Sequence, residues 1–213
     1  MPRLSRVCGA AVFVLCLASL VSAHASENSA EELARRARVE CEQGRSATAR
    51  NVRQDHFTRG QALAERAVAL DGQNADAHFE VFCNMGELMR LDGESIRSVL
   101  ALRRLMSELD RTLELNPDHL DAMSSKGTFL VRLPRMLGGD ATKGESMLRE
   151  VLRRDPNAVN ARLVLAKYVD GRGNRDEAIS FATRAMQIAR DQGRPDRIEA
   201  CQSTLDELGV AAH

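Results

Sequence analysis

Gly138 and Gly139, with Asp140, Lys143 and Gly144 after them, come nearest to a phosphate-binding loop in this chain. Backbone N–H groups at a helix start can hold an anion, and glycines let the anion approach. A nucleotide-binding loop, however, needs G-x-x-x-x-G-K-[ST] after a strand. Here Lys143 precedes Gly144, and no strand pattern comes before. The same residues make a better helix corner. Pro134 breaks one helix, the two glycines supply backbone angles that other residues resist, and Asp140 caps the next helix. The remaining reactive side chains are dispersed. Five histidines, at 24, 56, 78, 119 and 213, form no Ser-His-Asp or Cys-His order. Asp176 and Glu177 are adjacent carboxylates, but at a helix start they complement its dipole. Cys41, Cys83 and Cys201 lack C-x-x-C spacing and neighbouring histidines, so no metal site is expected. The three cysteines beyond residue 25 cannot all pair within one chain; one disulfide is open, and so is burial of all three as small apolar residues. The expectation is no catalytic group, no metal and no cofactor.

The elements that would position any site are helical. Ala, Leu, Arg and Glu dominate the 213 residues, which favours helix, and no alternating strand pattern competes. Thirty basic residues balance thirty acidic ones, so nothing suggests nucleic acid as a partner. Aromatic residues are 3 % with no Trp, which leaves few platforms for stacking sugars or bases. Residues 1–25 read as a secretion signal: Arg3 and Arg6, an apolar run from Val7 to Val21, and Ala23-His24-Ala25 as the cleavage site. The residue before Cys16 is Leu15 rather than a small one, which argues against a lipoprotein. Cleavage after Ala25 implies a periplasmic or secreted chain with no stable membrane insertion.

Self-similarity organises the rest. In 159–192, Ala166, Ala178, Ala182 and Ala185 fall where two antiparallel helices touch, Gly171 and Gly173 mark the turn, and Asp155-Pro156 precedes the unit. In 120–156, Gly127 takes the matching place, and five inserted residues near Pro134 to Gly139 bring Gly144, Leu148 and Val151 into register. Small residues at such places let backbones approach while larger ones fill the groove. Both stretches resemble the tetratricopeptide repeat. Two weaker units lie upstream: 29–72, where Gly60, Ala64 and Ala67 fit a second helix, and 75–117, over-long for a repeat. Residues 195–208 make a polar-faced capping helix. The fold expected for 26–213 is therefore all-α, a tetratricopeptide-like α-solenoid of four helix pairs plus a C-terminal cap.

In such repeats the exposed positions of the first helix of each pair meet the ligand. The resemblance places Asp76, Phe79, Cys83 and Glu87 there in the second unit, and Asp121, Ser124, Thr128 and Arg132 in the third. Asn160, Leu163, Lys167 and Asp170 follow in the fourth. This implies a non-enzymatic scaffold that binds a protein or peptide. Pro134, Leu137, Gly138, Gly139, Asp140, Lys143, Gly144 and Glu145 are also similar to a corner of the periplasmic T-component of TRAP transporters. That resemblance implies a component holding a ligand for a transport system, with a homo-oligomer as one arrangement.

Overall fold

The computed structural model describes residues 29–93 and 98–210; the secretion signal expected at 1–25 lies outside the described residues. All regular structure among them is helical, in agreement with the all-α expectation. They fall into two compact units that divide between Val99 and Leu100, inside the repeat read at 75–117.

The first unit contains α1 (Ala30–Ser46), α2 (Arg50–Leu70) and α3 (Ala75–Leu91). Ser29 accepts from the Glu32 N–H to start α1, and Asn74 accepts from the Ala77 N–H to start α3. The three helices touch in successive layers. One joins Leu33 and Ala34 to Ala67 and Ala77, the next joins Ala37, Ala64 and Val81, and the last joins Cys41, Phe57 and Cys83. Alanine in the first two layers lets the helices approach, and Phe57 fills the third. Gly44 makes room for its ring, because a Cβ there would stand 2.4 Å from Phe57 Cε1.

The second unit contains α4 (Ser98–Leu115, from Leu100 onward), α5 (Leu120–Arg132), α6 (Ala141–Arg154), α7 (Val159–Asp170), α8 (Arg175–Asp191) and α9 (Pro195–Glu207). α5 and α6 cross at two glycines: a Cβ on Gly127 would be 3.1 Å from the Gly144 carbonyl oxygen, and one on Gly144 2.7 Å from the Gly127 oxygen. Leu148 and Val151 of α6 then pack on Ala161, Val164 and Leu165 of α7. Ala166 of α7 meets Ala178, Ala182 and Ala185 of α8, with Cys201 and Leu205 of α9 closing the cluster. These small side chains are fully buried, as their places in the repeat require.

The corner between α5 and α6 is a 3₁₀ turn over Arg135–Leu137 between Pro134 and Gly138. Gly138 has a φ of 90°, in the region that favours glycine. Gly139 does not, which corrects the expectation that both glycines supply unusual angles. Its hydrogen is needed instead because a Cβ would lie 1.8 Å from the Leu133 carbonyl oxygen. Asp140 then accepts from the Lys143 N–H at 3.0 Å and starts α6. Replacing Asp140 with Ala should cost about 1 kcal/mol in urea unfolding, and Asp140→Asn, which keeps the cap, a few tenths; equal losses for both would remove the cap from the account.

Candidate functional site

In the second unit the α5–α7 side carries a cleft of about 170 Å³. Asp121 and Ser124 line it from α5, Asn160 from α7, Asp155 from the intervening loop, and Arg194 and Arg197 from the other side. All three residues of α5 and α7 were expected on the binding face. Arg197 donates to Asn160 Oδ1 and holds that amide in place. A space of this size is below the several hundred Å³ usual for small-molecule sites and suits one or two side chains of a peptide. Its charges are mixed, with acids on the α5 side and arginines opposite.

The other expected positions are divided. Arg132 is exposed at the end of α5, while Thr128 turns its hydroxyl onto the Ser124 carbonyl at 2.8 Å. Lys167 pairs with Glu207 at 2.7 Å and Asp170 with Arg175 at 3.2 Å, so both serve ion pairs of their own unit. Leu163 is a correction: it is buried in the α7–α8–α9 core. Phe79, Cys83 and Glu87 are corrections too. Asp76 is exposed, but the other three are buried, Cys83 and Glu87 against α1, which lies along this face of α3.

That contact is a ladder of matched residues at one constant offset. Arg38 donates to Glu80 at 3.1 Å, Cys41 Sγ meets Cys83 Sγ at 2.6 Å, and Arg45 donates to Glu87 at 2.7 Å. Each pair is 42 residues apart, so α1 and α3 run parallel in register. Asn84, fully buried, ties the ladder to the backbone by donating to the Ala37 and Glu80 carbonyls. Burial pushes the Glu80 carboxyl up to about 7, against the pull of Arg38 and Arg45 and with some help from Asp76. Burial also works against the Arg45 charge, but Cys83 and Cys41 in their ionised form and the Glu87 carboxylate outweigh it and raise its pKa. Cys41, Glu80 and Cys83 bring three potential metal donors within 4.8 Å of one another, a grouping their spacing in sequence concealed. The signal that was available is the repeated offset of 42, with charges of opposite sign at both ends.

Among the described residues no helix is long and apolar enough to cross a membrane. No curated protein sequence matches the chain at a significant level. Among solved structures, the chain is similar to a MamA crystal structure, at 17 % identity and a TM-score of 0.47 over 80 % of this chain and 84 % of that one. It is similar also to MamA from Desulfovibrio magneticus RS-1, at 14 % identity and a TM-score of 0.48 over 80 % and 93 %. YrrB, a tetratricopeptide-repeat protein with an unusual peptide-binding site, follows at 18 % and 0.38 over 68 % and 84 %. Likeness at this depth carries no function across. The sequence itself matches a family profile over residues 15–136, more than half its length. The chain thus belongs to the family described as regulator of microtubule dynamics protein 1-3.

Proposed function

We propose that this chain is an exported, non-enzymatic helix-pair scaffold that binds a segment of another protein at the α5–α7 cleft. The observation that carries the reading is the convergence of Asp121, Ser124 and Asn160, from the first helices of two successive pairs, on one cleft of side-chain size. Hydroxyl and amide groups there suit the backbone of an extended peptide, and Asp121 and Asp155 suit a basic side chain on it. The family's description, a regulator of microtubule dynamics, names a regulatory role for its members and supports partner binding here. Export rests on residues 1–25.

A photo-crosslinking amino acid at position 121, compared with one at Ser180 on the exposed part of α8, tests the site in the native host. Protein adducts are expected from position 121 alone, on a chain whose mass shows that it begins at Ser26. Adducts at both positions, or at neither, would sink the cleft reading, and an uncleaved start would sink the export reading separately.

A further inference from the structure

The Cys41–Cys83 contact lies in the first unit and takes no part in the cleft. Both side chains are buried, one on α1 and one on α3, with sulfurs 2.6 Å apart. A disulfide bond is about 2.0 Å long, so about half an ångström of movement closes it. The competing occupant is a metal ion, because Glu80 Oε2 is buried without a hydrogen-bond partner and completes a three-donor group. Two observations count against it. Thiolates on tetrahedral zinc, each about 2.3 Å from the ion, sit about 3.8 Å from each other, so the sulfurs would have to separate by more than an ångström. The Arg45 guanidinium also stands 3.2 Å from Cys83 Sγ, where it repels a cation.

We propose that Cys41 and Cys83 form an intramolecular disulfide, made while the chain folds, that fastens α1 to α3. The step is exchange with a disulfide donor, either a protein dithiol oxidase or a small-molecule disulfide. One cysteine thiolate attacks a donor sulfur and expels the first donor thiolate, leaving a mixed disulfide. The second cysteine thiolate then attacks the chain's own sulfur and expels the second. Two electrons pass to the donor, which leaves as two thiols carrying the two protons. The timing follows from burial: once α1, α2 and α3 have packed, a donor cannot reach either sulfur. The hydrogen bond that the Cys83 thiol donates to Cys41, and burial, also raise the Cys83 pKa in the folded dithiol, so little thiolate remains to attack. The finished bond, equally buried, resists reductant until the unit unfolds.

The full chain isolated without reductant, denatured, alkylated and digested should yield a peptide linking Cys41 to Cys83, with Cys201 alkylated. Reduction in urea followed by refolding and alkylation should lower the melting temperature by about 10 °C or more, given the long loop the bond closes. Cys41→Ser/Cys83→Ser should melt at the reduced temperature whether or not reductant is present. Refolding the reduced wild-type chain in a mixture of oxidised and reduced glutathione is the second route, and should regenerate the same linked peptide. The proposal is overturned if both cysteines alkylate without reductant after both preparations, or if Cys201 is the linked partner. Stoichiometric zinc, with both thiols freed by a chelator, would overturn it in favour of a metal site.

Discussion

Gly139→Val should unfold the α5–α6 corner, with a loss of at least about 3 kcal/mol. The reason is local and steric. A Cβ at this position would lie 1.8 Å from the Leu133 carbonyl oxygen, 2.6 Å from its carbon and 3.0 Å from the Pro134 oxygen. All three are backbone atoms, so no rotamer change relieves the overlap. Moving residue 139 away would break its N–H bond to the Pro134 oxygen at 3.1 Å and the Asp140 N–H bond to the Leu130 oxygen at 3.0 Å. It would also displace the Asp140 cap of α6. Gly138→Ala is the comparison, because a side chain there meets nothing within 4 Å and only the φ of 90° resists it, at about 1–2 kcal/mol. Tyr168, the chain's one tyrosine with no Trp present, lies in the second unit and reports its urea unfolding by fluorescence. Equal losses for the two variants would show that backbone angle rather than close approach governs the corner.

The corner shows how far the sequence could be read. Pro134, the glycine pair and Asp140 marked a helix break followed by a helix start, because each of those residue types acts on the backbone next to it. The alanines and glycines of the helix crossings were legible for a related reason: within one pair, a short turn fixes which positions face each other. Which glycine needed its angle and which needed its missing Cβ was not legible. The Leu133 oxygen that decides it is brought close only by the 3₁₀ turn. The face of α3 was misread on the same principle. Repeat register alone put Phe79, Cys83 and Glu87 on an exposed surface, but burial is decided by what packs there. For Cys83 and Glu87 that neighbour is α1, 42 residues upstream, and the constant offset with opposite charges at both ends is the one trace it leaves in the sequence.

The same ladder should make the stability of the first unit fall as pH rises, and Glu80→Gln should remove most of that fall. Glu80 is 2 % exposed, and its folded pKa is about 7 against an ordinary 4.5. Below about pH 4.5 the carboxyl is protonated in both the folded and the unfolded chain and contributes no difference. Between 4.5 and 7 the unfolded chain releases the proton while the folded chain keeps it, so stability declines with each step in pH. Above 7 both forms are ionised and the penalty is complete, at about 3 kcal/mol from the size of the shift. Arg38, at 3.1 Å and 45 % exposed, recovers only part of the lost hydration, since much of its charge still faces water. Glutamine keeps the shape and an acceptor for Arg38 without the charge. The variant should therefore match the wild type near pH 4.5 and exceed its stability by about 3 kcal/mol at pH 8. Hydrogen exchange of α1 and α3 peptides at pH 5, 6, 7 and 8, corrected for intrinsic rates, measures this unit separately from the second. A difference between variant and wild type that stays constant across that range would mean that Glu80 is ionised throughout, with the Arg38 pair strong enough to hold a buried charge.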